Sequence, residues 1–147
     1  MAQSKGFTLI ESLIVLSVVS IFVLLPILAI DQYQKQIEVV GFCGRLEKGL
    51  YTAQQTAIID QRQTRVAYTS GTDPALHFQS TITGELRLNS IDMPEQLEVR
   101  SFPTILFSSN SGNNSSFPRI VLYWPEKEQT ITYKFLFGSG RYEKIIE

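Results

Sequence analysis

Cysteine occurs once in 147 residues, as Cys43, and histidine once, as His77. A lone cysteine excludes an intramolecular disulfide, so a domain built from this chain is held by packing alone. One histidine and one cysteine are too few for a structural zinc site. The sequence also lacks a Walker phosphate loop, an HExxH, a GxSxG and a CxxC, the usual signatures of nucleotide, metal and nucleophile chemistry. No catalytic residue and no cofactor is expected. Charge of one sign is missing as well: 13 basic side chains stand against 14 acidic ones, a formal net charge of -1. That balance gives no basic field of the kind that dominates nucleic-acid binding. A small local patch remains compatible with it.

What the chain does contain is one long apolar run. The polar head MAQSKG gives way at Phe7 to 24 residues ending at Ile30, and Glu11 is the single charged side chain among them. As a helix this run is about 36 Å long, and a bilayer core of roughly 30 Å needs about 20 residues. A membrane span over 7–30 is therefore expected. A secretory signal is the rival reading, but the run exceeds its usual apolar core of about 7–15 residues, and no A-x-A-like exit follows. Lys5 on the polar side orients the N-terminus toward the cytoplasm. Glu11 needs its own account, because a carboxylate at the centre of a spanning helix costs about 2.5–3.5 kcal/mol. Two readings stand: a carboxylate near enough to the interface to snorkel, or one that meets a positive partner in an assembly.

Beyond Pro26, where a kink is expected, the helical period continues to about Gln61. Ile30, Tyr33, Ile37, Val40, Cys43, Leu46, Leu50, Ala53 and Ala57 recur at spacings of three and four, one face of an amphipathic helix. From Thr64 the pattern changes to short runs of β type separated by turn clusters. The strands expected are Thr64–Thr69, Ala75–Gln79, Glu85–Asn89, Leu97–Phe102, Thr104–Ser109, Arg119–Trp124, Thr130–Phe137 and Arg141–Ile145. The stretch 130–135 alternates cleanly, which turns Ile131, Tyr133 and Phe135 toward a core. The tract SSNSGNNSS (108–116) has no apolar residue and reads as a mobile surface loop or a contact loop. Cys43 reads as a small buried hydrophobe, His77 as a satisfied strand residue, and Tyr123 with Trp124 as a pair packed at a sheet edge. The architecture expected is α+β: a helical spine packed on a small antiparallel sheet or sandwich.

Lys5-Gly6-Phe7-Thr8-Leu9-Ile10-Glu11 resembles the class III leader junction of type IV pilins and type II secretion pseudopilins. In that family a prepilin peptidase cuts after the glycine, and the new N-terminal phenylalanine is usually N-methylated. The resemblance implies cleavage between Gly6 and Phe7, N-methylation of Phe7, and an assembly role for Glu11, the fifth residue of the mature chain. The divisions that follow are a leader 1–6, a transmembrane helix half 7–30, an amphipathic helix half 31–62 and a β-rich pseudopilin domain 63–147. Many family members place the helix-kinking proline further from the junction than Pro26, a departure that concerns the kink alone.

The rest of the chain carries a looser likeness. Ala53-Gln54 and Ala57-Ile58, then Pro103-Thr104-Ile105-Leu106-Phe107 before the Ser/Asn/Gly loop, and the closing Phe137-Gly138-Ser139-Gly140-Arg141 resemble the FimT/GspH-like minor pseudopilins. With its brief leader and no disulfide pair, the sequence looks most like the ComGD-type members of the Gram-positive competence machinery. The resemblance implies a non-enzymatic subunit of a competence pilus or pseudopilus used in DNA uptake during natural transformation. Its partners would be the prepilin peptidase, other competence pilins and pseudopilins, and the assembly ATPase with its membrane platform. The chain would sit in the cell membrane as a single-pass protein with its C-terminal domain outside, then reach the cell surface in a filament. Contact with DNA is expected to be indirect or weak: Arg62, Arg65, Arg87, Arg100 and Arg119 are interleaved with Asp73, Glu85, Asp92, Glu95 and Glu98. The alternatives are a minor pseudopilin of a type II secretion system, or a DNA-binding minor pilin at a pilus tip.

Overall fold

A computed structural model describes residues 8–80, 89–114 and 116–147, with the side chains of 25–29, 31, 32 and 89 outside the description. The leader junction at Gly6 and Phe7, and positions 85–88 of one expected strand, lie outside the described residues. One α-helix, α1, runs Leu9–Ile59, and eight strands follow among the described residues. The chain divides into two compact units between Ile37 and Glu38.

Both ends of α1 have identifiable stop signals. At the start, Thr8 Oγ1 accepts a hydrogen bond from the Glu11 amide at 3.3 Å, the N-cap arrangement. At the end, Gln61 takes a left-handed φ of 53°, which the helix cannot continue through. Near this end Ala53 O also accepts the Thr64 hydroxyl at 2.8 Å, a bond that ties the helix to the chain beyond it. Ala57 O, one of the last four carbonyls that a helix terminus leaves open, accepts the Asn110 amide at 3.0 Å.

In the second unit the helix contributes Val39, Phe42, Cys43, Leu46, Leu50, Ala53 and Ala57 to the core. The expected stripe is therefore half right. Cys43 to Ala57 are buried as expected, but Ile37 and Val40 are exposed, and Val39 and Phe42 take the core positions instead. Ile30 and Tyr33, in the first unit, are also exposed. The helix carries two apolar stripes, and periodicity alone does not say which one the sheets cover. Gly49 lies on the packed side: a Cβ there would collide with the Phe78 ring, so the glycine is what lets that ring close on the helix.

The strands form two four-stranded antiparallel sheets. Sheet A has the order β3-β2-β1-β5, built from β1 (Thr64–Thr69), β2 (Ala75–Ser80), β3 (Asn89–Asp92) and β5 (Ile105–Phe107). Sheet B has the order β4-β6-β7-β8, built from β4 (Glu98–Ser101), β6 (Arg119–Trp124), β7 (Gln129–Phe135) and β8 (Tyr142–Ile146). Alternation decides the faces. On β6, Ile120, Leu122 and Trp124 are buried, and on β7, Ile131, Tyr133 and Phe135. Together with Val66, Ile105 and Phe107 from sheet A they share one core with the helix. Each such side chain contributes about 1.5–3 kcal/mol by leaving water.

Two local expectations change. The 108–116 tract is neither apolar nor fully exposed: Gly112 and Asn114 are buried, and Ser108 bonds Asn113 O at 2.9 Å within the loop. Gln54 on α1 donates to Gly112 O at 3.3 Å and to Ser139 O at 3.0 Å, tying this loop and the β7–β8 turn to the helix. Gly140 sits at the centre of that junction with φ 60°, where a Cβ would strike Gly112 O and the Gln54 amide. Trp124 is buried rather than placed at an edge, with the Lys127 ammonium 4.5 Å from its ring.

Candidate functional site

The unusual surface is the beginning of α1. Every large apolar side chain from Leu9 to Leu24 is at least 45% exposed, reaching 84% at Leu9 and 70% at Phe22. These residues point in all directions around the helix rather than along one stripe. A helix apolar all round is stable in water only when something covers it, and a lipid bilayer or a bundle of neighbouring helices is the usual cover.

The polar groups of the same segment are arranged for leaving water. Ser17 and Ser20 hydroxyls donate to the carbonyls of Leu13 and Leu16, each at 2.8 Å, and Ser12 to Thr8 O at 3.4 Å. Each hydroxyl thus finds its acceptor one turn back, so its transfer into hydrocarbon strands no donor. The Glu11 and Ser12 amides both bond Thr8 O at 3.1 Å. Thr8-Leu9-Ile10-Glu11 has the T-x-x-E spacing of a capping box. Sequence reasoning had this signal available and missed it.

Glu11 is exposed in the first turn of the helix. A carboxylate there is favoured by the helix dipole by about 0.3–1 kcal/mol. That gain is smaller than the roughly 2.5–3.5 kcal/mol cost of a carboxylate at bilayer depth. The cap therefore accounts for a glutamate near an interface and leaves most of the cost of a deep one uncovered. Among the described residues no ion pair is formed by Glu11. Among them, too, no helix is long and apolar enough to cross a membrane. The expected span 7–30 includes Phe7 and the side chains of 25–29, which fall outside the description.

The ionisable groups of the second unit that the structure describes are spread over several elements. Arg65 lies in sheet A, and Arg100 and Arg119 lie in sheet B. Arg100 is engaged by Glu98 at 3.0 Å and rests 4.7 Å from the Tyr123 ring centroid. Arg62 is exposed in the α1–β1 connection, and Arg87 lies outside the described residues. His77 is half-buried on β2 and Cys43 is buried in the core. Among the described residues no group of three potential metal ligands occurs. A polar network joins the helix to sheet B: Glu47 Oε1 accepts from Tyr133 Oη at 3.1 Å and from Lys144 Nζ at 2.8 Å. Burial first, and the Cys43 and Glu47 groups next to it, push the Tyr133 phenol well above its ordinary range. Burial, then the Glu47 charge, also raises Tyr142.

Comparison with known proteins bears on the first unit alone. Residues 1–25 match the prokaryotic N-terminal methylation motif, the class III signal of type IV pilin-like proteins. No curated protein and no solved structure matches the chain. The matched segment contains Gly6, Phe7 and Glu11 and overlaps the exposed apolar helix from Leu9 onward.

Proposed function

We propose that the chain is a minor pseudopilin, a structural subunit of a type IV pilin-like filament. The observation that carries the reading is the methylation motif over 1–25, coinciding with a helix start whose apolar side chains are exposed on every side. In this reading the prepilin peptidase cuts between Gly6 and Phe7, and Phe7 becomes an N-methylated terminus. The segment 7–30 lies in the membrane with the N-terminus inside, and the β-rich domain 63–147 lies outside. Glu11 then has a partner in the assembly: the new Phe7 amine of a neighbouring helix. A desolvated carboxylate and ammonium are stable together and costly apart, so the pair selects the assembled state and its register.

The finer assignment is the competence pseudopilus, with the other competence pilins and pseudopilins, the assembly ATPase and its membrane platform as partners. The brief leader and the lack of a disulfide pair support it; the closing Phe137–Arg141 segment fits FimT/GspH-like pseudopilins of either branch. DNA uptake is then a property of the filament, and this subunit's own contact with DNA is weak or indirect. Deletion of the coding sequence tests this assignment. Transformation should fall sharply and return on complementation, with exported proteins unchanged. A secretion defect with normal transformation would move the chain to the type II secretion branch.

A further inference from the structure

Beside Gly49, α1 and sheet A enclose a groove of about 360 Å³, within the usual range of roughly 300–1,000 Å³ for small-molecule sites. Arg45, Lys48 and Thr56 line it from the helix, and Phe78, Gln79 and Ser80 from β2. Arg45, Lys48, Thr52 and Thr56 fall at spacings of three and four, so they share one helix face. Among the described residues no carboxylate lines the groove. Among the described residues neither cation forms an ion pair, whereas Arg100 and Lys144 each have a glutamate.

The hydroxyls divide by use. Thr52 and Thr64 spend their protons on the helix carbonyls of Lys48 and Ala53, at 2.8 Å each. Ser80 Oγ is buried and has no partner among the described residues, an arrangement that native interiors rarely tolerate without a ligand or water. Its neighbours in the groove, Thr56 and Gln79, add further neutral hydrogen-bonding groups. Lys48 and Thr56 stand eight residues apart, about 12 Å along the helix. Cations at one station, neutral polar groups at the other and the Phe78 ring in the lining beside Gly49 define what fits.

We propose that this groove binds a phosphate ester of a small polyol. Arg45 and Lys48 receive the phosphate by charge-assisted hydrogen bonds, Ser80, Gln79 and Thr56 bond the polyol hydroxyls, and the Phe78 face carries its C–H surface. Such a group occurs free in solution or as the headgroup of a phospholipid. The groove lies wholly in the second unit, so the proposal is independent of how the N-terminus is processed.

The test uses the full chain in an uncharged detergent and titrates glycerophosphoglycerol by calorimetry, with glycerol and inorganic phosphate as partial probes. Saturable binding of the ester, tighter than either part, is expected, weakening as salt rises. Arg45→Gln with Lys48→Gln should weaken it by roughly tenfold or more with unliganded melting unchanged, and Ser80→Ala should weaken it by several-fold without lowering unliganded melting. Competition by phosphatidylglycerol micelles, but not by phosphatidylcholine, would identify the lipid headgroup as the source. Binding of the soluble ester without such competition would identify the free form. No saturable binding of either, or binding that survives the double substitution, overturns the proposal.

Discussion

Glycine makes the sharpest residue-scale contrast, because two glycines of one helix should respond to the same change with opposite sign. Gly44 is exposed, with nothing within 4 Å of a built Cβ. Gly44→Ala should therefore gain the helix-propensity difference of about 1 kcal/mol. At Gly49 the same gain is outweighed, since the added carbon meets the Phe78 ring and overpacking costs about 1–3 kcal/mol. Urea unfolding of the two variants separates these outcomes, and a stabilised Gly49→Ala would contradict the seating of Phe78. The Tyr133 phenol gives a second residue-scale test. Its folded pKa, like that of Tyr142, is raised above the ordinary value near 10, so the neutral form is the one the fold holds. The stability this contributes is complete below pH about 10. It is lost progressively as pH rises beyond that value. Tyr133→Phe should flatten this alkaline loss while removing one hydrogen bond to Glu47, worth about 1–3 kcal/mol. An alkaline melting profile unchanged by Tyr133→Phe would remove Tyr133 from the account.

Among the elements, α1 shows where sequence pattern is informative and where it stops. The strands Thr64–Thr69 and Arg119–Trp124 have the ends that alternation and turn residues predicted, because period two and β-branched residues agree there. The helix differs. Ile37 and Val40 fit the apolar period as well as Val39 and Phe42 do, and only the position of the sheets decides between the pairs. Gln54 was legible as a family-like residue, but its bonds to two distant loops were not, since nothing local encodes a separation of 58 and 85 residues. Of the candidate site, Glu11 was legible as an anomaly and Thr8 was legible but unread. The element-scale prediction concerns that pair. Glu11→Val should insert into the membrane as well as the parent or better and still be cleaved at Gly6–Phe7, yet cross-link poorly to its filament partners. Thr8→Ala removes only the cap, a loss of about 1 kcal/mol, and should leave incorporation nearly intact. Equal incorporation of Glu11→Val and the parent would reduce Glu11 to a helix-start residue.

At the scale of the molecule, the two units pose different physical problems. The second, from Glu38 onward, has its own core of helix and two sheets. A chain beginning at Asp31 should be soluble, folded and monomeric. Cys43 is unpaired and buried, so reductant should leave its melting unchanged; a reductant-sensitive fold would refute core packing as the source of stability. The stretch Leu9 to Leu24 in the first unit has the opposite character, with its large apolar side chains exposed all round the helix. Whether its cover is a membrane and then a filament depends on the leader junction. The most direct measurement is therefore the mass of the chain's N-terminal peptide after production with a prepilin peptidase. The account predicts a mature chain that begins at Phe7 and carries one methyl group on its amine, and a Gly6→Val variant that retains residues 1–6. An N-terminus that still carries those six residues in the parent, or a cut unaffected by Gly6→Val, would contradict it.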